Sequence, residues 1–177
     1  MARTINIPNL LSFLRMLAVI PILALIGENN RLAFWIYLVA LATDFFDGAT
    51  ARWMKSVTDV GKLLDPLADK ILHFFLLYQF RIFYPQISSQ FFLITFLAIV
   101  LAALPGIAAL FKVKRKLGSN IFGKAKMAVE CLAIFSLFGS DMELAGKFLW
   151  LAVFLAIASI LGHLFIREKE VIKKKAS

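Results

Sequence analysis

Two polar stretches set within apolar sequence decide the fold: TDFFDGATAR at residues 43–52 and GKLLDPLADK at residues 61–70. Each stretch holds two aspartates, three residues apart in the first and four apart in the second: Asp44 and Asp47, then Asp65 and Asp69. Residues at these separations project from one face of a helix. An ionised carboxylate at membrane depth costs about 2.5–3.5 kcal/mol even on permissive scales, so it needs a partner or a wet cavity. The two stretches therefore predict two helix faces that form a cup of four carboxylates.

The surrounding sequence is typical of a membrane protein. Hydrophobic residues make up 61% of the 177 residues, and the mean hydropathy of +0.83 exceeds what an ordinary soluble core requires. A helix needs about 20 apolar residues to cross the hydrocarbon core. Six runs are of about this length: 8–27, 32–54, 66–84, 89–111, 121–140 and 145–166. We therefore expect an all-α integral membrane protein with a bundle of six transmembrane helices, in which Pro66 suits the first turn of the third helix.

The positive charges predict the orientation of these helices. All but three of the 20 basic residues fall on one side of the expected bundle; the exceptions are Arg31, Arg81 and Lys147. Because cytoplasmic connections carry an excess of Lys and Arg, we expect both termini and the aspartate cup to face the cytoplasm at the inner membrane. The formal net charge of +9 then reflects attraction to anionic lipid rather than to nucleic acid. We expect a catalytic membrane domain over residues 1–166 and a basic cytoplasmic tail over residues 167–177.

The cup is predicted to bind metal. Four close carboxylates would repel one another and take up protons unless cations lay between them. Their hard oxygen atoms suit Mg²⁺ or Mn²⁺ and leave coordination positions open for phosphate oxygens. Gly48, Ala51 and Gly61 continue the aspartate faces and allow a ligand or another helix to approach closely. Considered singly, these small residues more often serve helix packing, and a nearby cation, Arg52 or Lys70, could equally neutralise one aspartate.

The combined spacing carries a resemblance to a known family. The pattern Asp-x2-Asp-Gly-x2-Ala-Arg-x8-Gly-x3-Asp-x3-Asp resembles the signature of the CDP-alcohol phosphatidyltransferases, and all eight specified positions are filled. NIPNLL at residues 6–11, together with Arg15, and GKAK at residues 123–126 resemble two further stretches of that family. The resemblance implies a six-helix enzyme, usually a homodimer, that acts on CDP-diacylglycerol with two divalent metal ions, Mg²⁺ or Mn²⁺.

The same resemblance implies a role for each residue of the signature. Asp44, Asp47 and Asp65 would hold the two metal ions, while Asp69 would help to hold one ion and act as the general base on the acceptor hydroxyl. The residues that would form the CDP site are Asp44, Gly48, Ala51, Arg52, Gly61 and Asp65. This division agrees with the chemistry, since metal ions on a diphosphate stabilise the leaving phosphate and a nearby carboxylate can accept the proton of the nucleophile.

The acceptor alcohol is less constrained by the sequence. Within the family, the quoted stretches most resemble bacterial phosphatidylglycerophosphate synthases, whose acceptor is glycerol 3-phosphate and whose second product is CMP. Those synthases usually carry an Arg-Glu pair in the fourth helix, whereas residues 102–107 read AALPGI. Phosphatidylglycerol, as in cardiolipin synthase, inositol phosphate and serine therefore stay open as acceptors. The cations expected to bind an acceptor phosphate are Arg115, Lys124 and Lys126.

Other polar residues in apolar runs have simpler interpretations. Glu130 needs a partner, and Lys126, four residues earlier, is the nearest candidate. His73 and His163 have no second metal ligand at useful spacing, so we expect packed histidines. Intramembrane carboxylates also occur in proton or cation transporters, where they would lie near mid-membrane along a continuous route. The aspartates here cluster at one cytoplasmic level, which favours an enzyme.

Overall fold

The computed structural model describes the backbone of residues 7–53, 59–110 and 121–175, and the side chains of residues 12–43, 67–104 and 121–162. Within the described backbone the chain forms six α-helices and no strand, which confirms the all-α prediction. The helices are α1 (Ile7–Leu25), α2 (Asn30–Trp53), α3 (Asp59–Phe83), α4 (Ser88–Leu110), α5 (Ile121–Phe138) and α6 (Met142–Lys175). A short 3-10 turn, Pro85–Ile87, precedes α4.

Two helices extend beyond their apolar runs. Helix α3 begins at Asp59, so Pro66 lies inside the helix and not in its first turn, contrary to our expectation. Residues 59–65 are helical although Asp59, Lys62 and Asp65 interrupt the apolar residues, and a hydropathy pattern does not detect a helical turn of mixed polarity. Helix α6 continues to Lys175, past the boundary at residue 166 that we expected for the basic tail.

The chain divides into two compact units, Met1–Pro85 and Gln86–Ser177. In the first unit, α1 packs against both α2 and α3. The buried core side chains of this unit include Ile22, Ala33, Tyr37, Leu72, Leu76 and Phe80. Helix α1 is thus the element that contacts both helices of the aspartate signature.

The turn between α1 and α2 depends on a glycine. Gly27 has a φ of +93°, in the left-handed region that favours glycine. A Cβ atom at this residue would also lie 2.6 Å from Cζ of Phe83, at the end of α3. Asn29 caps α2, because its Oδ1 accepts a hydrogen bond of 3.1 Å from the backbone N–H of Leu32. These contacts fix the chain where α1 leads into α2.

In the second unit, α6 packs against α5 and α4. Its buried side is a row of small and aliphatic residues spaced four, three and four apart, and all are fully buried: Ala145, Leu149, Ala152 and Ala156. Small side chains on one helix face allow a neighbouring helix to approach closely. Asp141 caps α6 by accepting a 2.9 Å hydrogen bond from the N–H of Leu144.

Two described stretches are long and apolar enough to cross a membrane: Pro85–Leu104, with 20 residues, and Met142–Gly162, with 21. Shorter apolar helical stretches occur at Ser12–Leu25 and Asn30–Thr43. Within the described part of the chain, these two long apolar stretches support membrane localisation. The prediction of six transmembrane helices stays a prediction.

Candidate active site

Helix α1 presents a buried stripe that contains one cation. Ser12, Arg15, Val19 and Ile22 are spaced three, four and three residues apart, and all four are buried. This spacing places them on one face of the helix. Arg15 is 1% exposed, in a stripe that is otherwise apolar or uncharged. A charge removed from water in this way requires a close partner of opposite sign.

That partner is Asp69 on α3. Nη1 of Arg15 donates a hydrogen bond to Oδ1 of Asp69 at 2.7 Å, across 54 residues of sequence. The Arg15 side chain is 0% exposed, whereas the Asp69 side chain is 24% exposed. The ion pair therefore joins a fully enclosed guanidinium to a carboxylate that a ligand can still reach.

The surroundings of Asp69 hold it at the edge of the core. Ala68 is 0% exposed and Leu72 is 1% exposed, so the turn of α3 that carries Asp69 is anchored by its neighbours. Lys70, the cation that the sequence offered as a partner, is exposed. The Arg15 pairing was missed in the sequence, although a lone arginine inside the apolar run 8–27 signals a need for a carboxylate.

The other signature residues lie on α2 and α3. Their backbone is helical within α2 and α3, as the spacing predicted, but their side chains lie outside the described ones: Asp44, Asp47, Gly48, Ala51, Arg52, Gly61 and Asp65. Among the side chains that the structure does describe, no group of three or more His, Cys, Asp or Glu lies close enough to hold a metal ion. The metal and CDP sites therefore stay predictions.

The predicted acceptor cations differ in their environments. Lys124 is exposed, whereas Lys126 is 8% exposed and pairs through Nζ with Oε1 of Glu130 at 2.7 Å. The expected Glu130–Lys126 pair is thereby confirmed. Arg115 lies outside the described residues. Lys124 has the charge that is more accessible to a phosphate from solution, because the charge of Lys126 is already compensated within α5.

The histidines were expected to be packed, and His73 is. It is 4% exposed, and its Nε2 lies 3.3 Å from the hydroxyl of Tyr37, which is fully buried. This hydrogen bond joins α2 to α3, one turn beyond Asp69 along α3. The side chain of His163 lies outside the described ones.

Comparison with protein families agrees with the signature. The model of the CDP-alcohol phosphatidyltransferase family matches residues 5–158, which include α1 to α5, both aspartate pairs and the first half of α6. The chain belongs to the CDP-alcohol phosphatidyltransferase family. Membership confirms the resemblance in the sequence and identifies the protein as an enzyme of the phosphatidyltransferase class, so the transporter alternative is set aside.

Three relatives of this phosphatidyltransferase carry the name CDP-diacylglycerol--glycerol-3-phosphate 3-phosphatidyltransferase. The protein of Aquifex aeolicus (strain VF5) is 36% identical over 134 residues, which cover 74% of each chain. The protein of Bacillus subtilis (strain 168) is 31% identical over 185 residues, covering 87% of this chain and 91% of the relative. The protein of Wigglesworthia glossinidia brevipalpis is 26% identical over 182 residues, covering 96% and 98% respectively.

Proposed function

We propose that this enzyme transfers the phosphatidyl group of CDP-diacylglycerol to glycerol 3-phosphate, giving phosphatidylglycerophosphate and CMP in phospholipid synthesis. The single observation that carries the proposal is the similarity over most of the chain to relatives named for this reaction. The accessible carboxylate of Asp69 beside the enclosed Arg15 supports it from the structure.

The proposed chemistry is a displacement at phosphorus. A hydroxyl oxygen of glycerol 3-phosphate forms a bond to the phosphorus that carries the diacylglycerol, and the bond from that phosphorus to the bridging oxygen of CMP breaks. The hydroxyl proton passes to the carboxylate of Asp69, whose 24% exposed side chain permits contact with a substrate. The electron pair of the broken bond leaves with CMP.

The donor set suits a divalent cation. We propose that two ions, Mg²⁺ or Mn²⁺, are held by carboxylate oxygens, the ligands that these hard cations prefer. The residues proposed to hold them are Asp44, Asp47, Asp65 and Asp69. When bound, such ions neutralise charge on a diphosphate and on its leaving group.

The nucleotide and the acceptor are assigned to separate groups of residues. The residues proposed for CDP are Asp44, Gly48, Ala51, Arg52, Gly61 and Asp65, where small side chains allow the backbone to approach the nucleotide. The residues proposed for the acceptor phosphate are Arg115, Lys124 and Lys126. The exposure of Lys124 supports its inclusion, and an ammonium binds phosphate as a point charge.

We further propose a six-helix arrangement in the inner membrane, with both termini and the active site on the cytoplasmic side, and a homodimeric assembly. The distribution of basic residues supports this orientation. Large exposed apolar side chains on three helices support contact with lipid: Trp35, Val39, Phe92, Phe96, Trp150 and Phe154.

A panel of acceptors tests the reaction. Purified enzyme in detergent micelles with CDP-diacylglycerol and Mg²⁺ is incubated with glycerol 3-phosphate, phosphatidylglycerol, inositol phosphate or serine, and the release of CMP is measured. We expect release with glycerol 3-phosphate to exceed that with each other acceptor by at least about tenfold. Serine lacks the phosphate and its charged contact, phosphatidylglycerol carries only a phosphodiester, and inositol phosphate presents a bulkier alcohol. Faster release with phosphatidylglycerol would replace the proposal by a cardiolipin synthase. Folded enzyme that releases no CMP with any acceptor would contradict the whole assignment.

A further inference from the structure

Arg15 has no role in the proposed reaction, yet among the described side chains it is a buried cation in contact with the proposed base. Its side chain is 0% exposed, so a substrate that arrives from solution or lipid does not reach it. Any effect of Arg15 on the reaction must therefore pass through a side chain that it contacts. Asp69 is such a side chain, at 2.7 Å.

We infer that Arg15 is a positioning residue that holds the carboxylate of Asp69 in the orientation needed to take the proton from the hydroxyl of the acceptor alcohol. This inference rests on the proposed function. The contact is made to one named oxygen, Oδ1, by a planar group whose donors are fixed in direction. A carboxylate on a helix otherwise rotates about two side-chain bonds, and a misplacement of about 1 Å can reduce turnover on the order of 100-fold.

The packing around the pair makes Arg15 suitable for this role. Arg15 lies on the buried stripe of α1, between Ser12 and Val19, and those two neighbours are 0% and 6% exposed. On the other side of the contact, Ala68 and Leu72 fix the turn of α3. Neither partner of the ion pair is thus on a loose segment, and the geometry of the pair follows from the packing of α1 on α3.

The ion pair could also have a purely structural role, in which it only stabilises the folded first unit. Breaking a buried ion pair destabilises a protein through the charge that is left behind. A residue that served only stability would change the amount of folded enzyme without changing the turnover of each folded molecule. The two roles therefore differ in a measurable quantity.

The test is turnover per CDP-binding site in full-length enzyme. Arg15→Met removes the charge and keeps an unbranched side chain, and Arg15→Lys keeps the charge without the planar fork. Titration with CDP counts the competent sites, and CMP release at saturating glycerol 3-phosphate gives kcat for each site. We expect Arg15→Met to lower kcat by roughly 10- to 100-fold, with the KM for CDP-diacylglycerol and the Kd for CDP within about threefold of the wild type. The kcat of Arg15→Lys should lie between those of Arg15→Met and the wild type.

The control is Lys147→Gln, which breaks an ion pair of 2.6 Å at an exposed place in the second unit. Its kcat should equal that of the wild type. An Arg15→Met enzyme with wild-type kcat per site would overturn the inference, as would a change confined to KM. If Arg15→Met yields too few CDP-binding sites to measure, Arg15→Lys decides, and wild-type kcat in that variant overturns the positioning role. A wild-type enzyme without any CMP release would instead overturn the proposed function, so the two failures are distinct.

Discussion

At the scale of single residues, Asp69 combines a fixed position with access to a substrate. One of its oxygens accepts a charged hydrogen bond from a fully enclosed arginine, while 24% of the side chain stays open. A carboxylate with only the first property would be structural, and one with only the second would be an ordinary surface group. The combination is what a base requires, because the group must be both fixed and reachable.

Replacement of this carboxylate tests its role directly. We expect Asp69→Asn to reduce kcat by roughly 100- to 10,000-fold, since the amide keeps the shape of the side chain but does not accept the proton. CDP affinity should fall far less, because three other aspartates are proposed to hold the metal ions. The measurements are CMP release and equilibrium binding of CDP in the presence of Mg²⁺.

The matched control for this substitution is Asp141→Asn in the second unit. Asp141 is exposed and caps α6, and asparagine caps a helix about as well as aspartate. Wild-type turnover is expected for this control. If Asp69→Asn also kept wild-type turnover, Asp69 would not be the base.

At the scale of helices, two Lys-Glu pairs with the same spacing occur under opposite conditions. Lys126 and Glu130 on α5 lie 2.7 Å apart with side chains 10% and 3% exposed, whereas Lys147 and Glu143 on α6 lie 2.6 Å apart with side chains 68% and 81% exposed. The distances are almost equal, so burial is the main difference between the pairs. Burial decides the effect of breaking each one, because a charge that loses its partner is stabilised by water only at the surface.

Glutamine substitutions at the two glutamates make this comparison. Glu130→Gln should lower the free energy of unfolding by about 3 kcal/mol, because the Lys126 ammonium stays buried without its counter-ion. Glu143→Gln should leave the unfolding midpoint unchanged within error. Both are measured by denaturant or SDS titration of the enzyme in the same micelles. Equal shifts in the two variants would show that burial does not set the strength of the α5 pair.

The helices themselves were largely predictable from the sequence, whereas the side-chain contacts between different helices were not. The apolar run 32–54 became α2 over Asn30–Trp53, because composition marks the length of a helix that packs in an apolar environment. The start of α3 was placed seven residues late, since residues 59–65 are helical although charged residues interrupt the apolar ones. The Lys126–Glu130 pair could be read from a spacing of four. The Arg15–Asp69 pair could not, because it depends on how α1 packs on α3.

At the scale of the whole molecule, the distribution of charge and of exposed apolar surface supports the proposed membrane arrangement. Polar residues near the start of α5 and just beyond its end provide a way to test it. Helix α5 has 18 residues and therefore spans about 27 Å, close to the thickness of a hydrocarbon core. Lys124 near its start and Glu143 beyond its end are both exposed. The proposed orientation places them on opposite sides of the bilayer.

Labelling with a membrane-impermeant maleimide distinguishes the two sides. The native cysteine, Cys131, is first replaced by serine, and Lys124→Cys or Glu143→Cys is then introduced. In intact cells, reagent should label the Glu143→Cys protein and leave the Lys124→Cys protein unlabelled until the membrane is permeabilised. Labelling of both proteins in intact cells, or of Lys124→Cys alone, would contradict the proposed orientation.

The 54 residues between Arg15 and Asp69 also have a consequence for biogenesis. In the proposed arrangement, α1 leaves the ribosome and meets the translocon before Asp69, the counter-ion of Arg15, has been synthesised. At a synthesis rate of about 5–20 residues per second, this interval lasts roughly 3–11 s. An arginine alone in a nascent membrane helix costs about 2.5–3.5 kcal/mol on translocon scales. In the proposed arrangement, arrival of the third helix would relieve this cost, because it brings Asp69 to Arg15.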